Sequence, residues 1–155
     1  MGESEAVAEQ LRQVHEGPAS HGPSLREILA DVDATLAARP LQGEGHTIQQ
    51  IVAHVAAWED VFRRRLQGEV VAHLSAEQDF PHAPAGEPAW QALVERLHRG
   101  NRQLQDLIRR FPDARLQEVV QGKEYTFATM IHEAPFHNTY HAGQIALLKR
   151  VLASR

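Results

Sequence analysis

The sequence predicts an all-α protein, a four-helix bundle, on three observations. Apolar residues recur with helical spacing along most of the chain. No stretch alternates apolar and polar residues over a strand's length between turn residues. One long proline-bearing segment interrupts otherwise short-linked helices, as in bundles that contain a crossover.

The first helix is expected from Glu3 to about His15, ending at the Glu16-Gly17-Pro18 breaker. Ser24, after His21-Gly22-Pro23, is placed to cap a helix with Leu25, Ile28, Leu29, Val32 and Leu36 on one side. Residues 38–45, with Pro40, Gly43 and Gly45, read as a loop. Thr47-Ile48-Gln49-Gln50 is a capping-box pattern, opening a helix whose inward stripe is Ile51, His54, Val55, Trp58, Val61, Phe62 and Leu66. From Val70 to Pro88 the chain carries Pro81, Pro84 and Pro88 and reads as a long irregular crossing. A third helix from Ala89 to Arg110 buries Trp90, Leu93, Val94, Leu97, Leu104, Leu107 and Ile108 and stops at Pro112. The last runs from about Thr126 to Ala153, with Pro135 expected to kink it or to mark where regular helix begins.

Length and composition bound the function. The 155 residues fit one domain spanning 1–155, with 43% hydrophobic and 23% charged residues. A net charge of −4 argues against a general nucleic-acid binder, which neutralises phosphates with basic residues. No apolar run reaches the roughly 18 residues of a spanning helix, so no membrane partner is expected. Met1 to Gln13 does not read as a signal peptide, so the cytoplasm is the expected location. Ten histidines and no cysteine are the unusual numbers. Any metal site must therefore be built from imidazole, carboxylate and water.

Residues four apart on a helix share a face. His137 and His141 are such a pair, on a stripe with Met130, Glu133, Gln144, Ile145 and Leu148 and with Leu147 and Leu152 following. A third ligand must come from another helix, and His54, between Ile51 and Trp58 on an inward face, is the candidate. Taken singly, each has an ordinary alternative: paired histidines are common, and a lone core histidine is more often a packing residue. Together, with no cysteine available, they point to a divalent ion on three imidazoles with an open coordination position. His15, His46, His73, His82 and His98 read as solvated, and His132 as either supporting the ligands from behind or interhelical, not as a ligand.

At these residues the chain resembles the DinB-like family. The resemblance lies in His54-Val55-Ala56-Ala57-Trp58-Glu59 and Tyr140-His141-Ala142-Gly143-Gln144-Ile145, with His21-Gly22-Pro23-Ser24-Leu25 and Asp79-Phe80-Pro81 supporting it. It implies an up-down-down-up four-helix bundle with the long crossover after the second helix. It also implies a divalent ion on His54, His137 and His141, zinc or nickel, with iron or manganese in the wider superfamily. Homodimers are implied too. Characterised relatives include bacillithiol S-transferases and the mycothiol-dependent maleylpyruvate isomerase, and other members are described only as metal-dependent hydrolases. The expected partner is thus a small-molecule substrate, with a low-molecular-weight thiol as co-substrate. Since the chain has no cysteine, that thiol would come from outside.

For acid–base work the candidate is Glu133, one turn before His137; a solvated first-turn carboxylate is the competing reading. Tyr140 and Gln144 flank the ligand stripe and are candidates for bonding substrate or water. Trp58 reads as core or as substrate wall, and His21 as a residue at the pocket mouth or at the helix start. A second functional class stays open: a non-catalytic metal-binding stress-response bundle whose ion is mainly structural.

Overall fold

The computed structural model describes residues 1–43 and 45–154; residues 44, in the expected loop, and 155 lie outside the described part. Every described element is helical: α1 (Glu3–Glu16), α2 (Leu25–Leu29), α3 (Ala34–Ala38), α4 (Ile48–Leu66), α5 (Ala76–Asp79), α6 (Glu87–Arg110) and α7 (Phe127–Ala153). A 3-10 turn at Asp113–Arg115 and one isolated antiparallel bridge, Val119 with Thr126, complete it. Among the described residues no helix is long and apolar enough to cross a membrane.

The four long helices α1, α4, α6 and α7 pack in a ring, α1 and α4 each touching both α6 and α7. One apolar cluster joins α2, the first half of α4 (Ile48, Ile51, Val55), the start of α6 (Trp90, Leu97) and the later part of α7 (Ala142, Ile145). A second joins Val7 and Leu11 of α1, Phe62 late in α4, Leu104 and Ile108 late in α6, and Phe127, Met130 and Ile131 of α7. Both follow the inward stripes read from the sequence, except that Leu147 is 63% exposed.

Local chemistry explains the boundaries. Thr47 accepts from the Gln50 amide at 3.2 Å while the Gln50 side chain accepts from the Thr47 amide at 2.8 Å, the reciprocal box expected at the start of α4. Thr47→Ala removes the first of these bonds and is expected to lower stability by about 1 kcal/mol, read from the urea midpoint. Gly2 has no side chain to cap α1, so Asp113 does so from the α6–α7 connection, accepting from the amides of Glu3 (2.9 Å) and Ser4 (3.0 Å). A Cβ at Gly2 would collide with that carboxylate.

The structure corrects one helix expectation and decides against one of the two readings of Pro135. The helix drawn through Leu25 to Leu36 is two short ones. Asp33 accepts from the Leu36 amide at 2.8 Å and starts α3, while the Trp90 indole donates to the Val32 carbonyl at 2.6 Å. These bonds compete with helix continuation across residues 30–33. Regular helix does not begin at Pro135. The Thr126 cap and the buried Phe127, Met130 and Ile131 hold the first turns, and α7 runs through the proline.

Midway along the bundle, between the two apolar clusters, the core is polar. Glu59 of α4 is 1% exposed, and its Oε1 accepts from Asn101 of α6 (2.6 Å) and Asn138 of α7 (2.8 Å). Gln105 donates to Asn101 Oδ1 at 2.6 Å. Glu59 Oε2 and Asn138 Oδ1 are buried without a hydrogen-bond partner. Burial pushes the Glu59 carboxyl up to about 7, against smaller opposing effects of the Asn101 and Asn138 hydrogen bonds and of the Arg63 charge.

Candidate metal centre

The capping box sets the start of α4, and the helical repeat then carries His54 inward beside Ile51 and Val55. On α7 the same repeat places His137 and His141 one turn apart, facing it. The ligand atoms of the three histidines lie within 4.8 Å of one another. Their side chains are thus close enough to hold one ion, as the spacing predicts. His54 and His141 are each 7% exposed.

The tautomers suit ligation. His54 Nδ1 stands 2.7 Å from the Asp79 carbonyl oxygen and His141 Nδ1 2.7 Å from Gln144 Oε1. Both oxygens only accept, so both Nδ1 atoms donate, and Nε2 is left as the atom of each ring that can face an ion. His54 Nε2 and His137 Nε2 face each other at 3.1 Å. Two nitrogens each about 2.0–2.1 Å from one ion stand about 2.9 Å apart at a right angle and about 3.4 Å apart at the tetrahedral angle. The observed distance falls between these. His137 Nδ1 is buried with no hydrogen-bond partner.

Burial first, then the neighbouring imidazoles His141 and His54, press the His137 pKa down to about 3. Burial likewise lowers that of His141, against a smaller opposing effect of Gln144. Both rings are therefore neutral near pH 7, the state that ligates.

The crossing segment reaches the centre. Trp58 Nε1 donates to Asp79 Oδ1 at 2.7 Å, and Phe80 stacks on His54 at 4.1 Å with His46 on its other face at 3.7 Å. A cavity of about 560 Å³ opens beside the three histidines, with Trp58, Phe62, Met130 and Tyr125 among its walls and Glu133 and Tyr140 at its edge. The sequence-predicted Glu133 and Tyr140 do come to the cavity, both exposed. Gln144 instead orients His141. Of the two places read for His21, the cavity mouth is excluded: it lines a separate depression with His132 and Phe136. His132 is interhelical, 3.0 Å from Glu3 of α1.

Two of the histidines read as solvated are not. His15 of α1 is fully buried and its Nε2 meets Nδ1 of His98, 8% exposed on α6, at 2.8 Å. Polar neighbours in sequence hid that each faces the other helix. Burial holds the pair neutral, near 3 for His15 and near 4 for His98. Sequence reasoning also assigned no role to Asp79, Tyr125 or Glu59. For Glu59 a signal existed: it lies one turn after Val55 and one before Phe62, inside the apolar stripe.

Searches of curated proteins and of solved structures gave no significant match. The family model of the DinB superfamily matches residues 20–145, which include all three histidines and the crossing between their helices. With that match over most of its length and an all-helical structure, the chain belongs to the DinB superfamily.

Proposed function

We propose that this protein is a metal-dependent enzyme acting on a small molecule, a thiol-dependent S-transferase or a hydrolase, with zinc or nickel (iron or manganese as alternatives) on His54, His137 and His141. The observation that carries this reading is the cavity of about 560 Å³ against all three imidazoles, room that an ion serving only the fold does not need. When bound, the ion supplies Lewis acidity toward a thiol or a water. The chain's own residues do the rest. The Asp79 carbonyl and Gln144 hold His54 and His141 in the ligating tautomer. Trp58, Phe62 and Met130 exclude water from one side of the cavity. Glu133 takes the proton released by the nucleophile, and the Tyr140 hydroxyl donates to the acceptor. The four long helices are read as the up-down-down-up arrangement of one domain, which the half-by-half sharing of the apolar clusters supports.

The test is turnover by metal-loaded protein. Low-molecular-weight thiols are paired with electrophilic acceptors in one arm, and esters and amides are offered without thiol in the other. Thiol-dependent turnover that falls about a hundredfold in Glu133→Gln is the expected result. Hydrolysis alone makes the enzyme a hydrolase. Silence in both arms with the ion bound leaves the non-catalytic bundle.

A homodimer is read from α7, where Phe136 (65% exposed), Tyr140 (65%) and Leu147 (63%) form an apolar stripe within about 40° of arc. Leu147→Glu is expected to shift the protein to monomer in light scattering with metal content unchanged.

A further inference from the structure

Behind the cavity's wall stands a charge that the metal centre does not explain. Arg65 of α4 is 2% exposed. Its Nε and one terminal nitrogen donate to the Val71 carbonyl at 2.9 and 2.6 Å, and the other terminal nitrogen donates to the Tyr125 hydroxyl at 2.7 Å. Among the described residues no carboxylate stands within ion-pair distance, and burial without one lowers its pKa. The guanidinium also lies 5.9 Å from the ring centre of Trp58. A buried cation thus stands directly behind two walls of the cavity, Trp58 and Tyr125.

This has a chemical consequence. A guanidinium can only donate, so Tyr125 Oη is the acceptor of that bond and its own proton is free for another partner. A hydroxyl polarised by a cation is a stronger donor, and a partly enclosed apolar site screens the charge poorly. The backbone that carries Tyr125 is held too: its carbonyl accepts from the Val120 amide at 2.9 Å, and Lys123 bonds the Ala72 carbonyl beside Val71. Of the two acidic residues at the cavity, Asp79 is committed to the Trp58 indole at the His54 end, and Glu133 is solvent-exposed.

We propose that Tyr125, positioned by the buried Arg65, is the hydrogen-bond donor for the carboxylate of a small, largely apolar substrate in this cavity. This rests on reading the cavity as a substrate pocket and names the class of substrate it takes. Tyr125 touches the ligand; Arg65 is a positioning residue that acts through it.

The experiment titrates benzoate and its neutral isostere benzamide into wild type, Tyr125→Phe, Arg65→Gln and Arg65→Lys, each metal-loaded and chelator-stripped, by calorimetry. Wild type is expected to bind benzoate more tightly than benzamide. Tyr125→Phe should weaken benzoate about tenfold and leave benzamide within about twofold. Arg65→Gln should lose the preference and Arg65→Lys should restore part of it, a pattern that loss of packing would not give. If the Arg65 variants do not fold, Tyr125→Phe decides alone. Persistence of the Tyr125 dependence in stripped protein supports the proposal even should the metal reading fail. Three results overturn it: no saturable benzoate binding, equal weakening of both ligands by Tyr125→Phe, or a preference that vanishes on stripping and ignores Tyr125→Phe.

Discussion

Purified without a polyhistidine tag, the protein is expected to carry about one divalent ion per chain, and the triple variant His54→Ala/His137→Ala/His141→Ala to carry background only. Three imidazoles converge there, two with Nδ1 already committed as a donor, so little reorganisation opposes binding. The ion should also tie α4 to α7. Because it binds the folded chain, a free concentration about a hundred times its dissociation constant adds about 2.7 kcal/mol of stability. A chelator should therefore lower the melting temperature of wild type and leave the triple variant unmoved. Gln144→Ala is a finer probe. It removes only the acceptor at His141 Nδ1, and is expected to weaken metal affinity by about 10- to 100-fold while all three ligands remain. Elemental analysis showing equal metal in wild type and the triple variant would sink the assignment.

Glu59→Gln is expected to make the protein about 3 kcal/mol more stable relative to wild type above pH 7 than it is near pH 4.5. The Glu59 carboxyl is raised from 4.5 in the unfolded chain to about 7 in the fold. Between those values the folded state holds more protons than the unfolded state, so its stability falls as pH rises. The penalty is absent below 4.5 and complete above 7. At about 1.4 kcal/mol per unit, the shift gives the stated size. The amide of Glu59→Gln does not ionise, and its oxygen can still accept from Asn101 and Asn138. His15 and His98 act in the opposite direction. Their folded pKa values, about 3 and about 4, lie below the ordinary 6.5, so their stability is present above 6.5 and lost as pH falls through those values. The two trends oppose each other in wild type, which is why the difference between the two proteins is the quantity to measure. Urea unfolding at pH 5 and pH 8 gives it, and parallel profiles would contradict the buried carboxyl.

How much of this was legible before the structure varied with the kind of signal. The starts of α2 and α4 were, because a cap is a local hydrogen bond between residues three apart: Ser24 with Glu27, Thr47 with Gln50. The three histidines were legible because helical spacing turns sequence separation into direction. The split at Asp33 was not, since it depends on Trp90, distant in sequence, taking the Val32 carbonyl. Nor were His15 and His98 as a pair. Each has charged or polar neighbours along the chain, and only the packing of α1 on α6 brings the rings to 2.8 Å.

The sequence by itself determined that the chain is helical, that any ion must be held by nitrogen and oxygen, and which three imidazoles share inward faces. Periodicity, capping and composition are properties of neighbours in the chain, and they need no knowledge of what lies across the core. What stands opposite each face was decided by the tertiary structure. The crossing segment brings Asp79 onto His54 and Trp58. The connection ahead of α7 brings Tyr125 to Arg65 across 60 residues of sequence. Glu59, one charge in an apolar stripe, meets two asparagines from two other helices. Each of these contacts is set by how elements pack and not by local pattern, and together they shape the cavity beside the three histidines and the charge behind it.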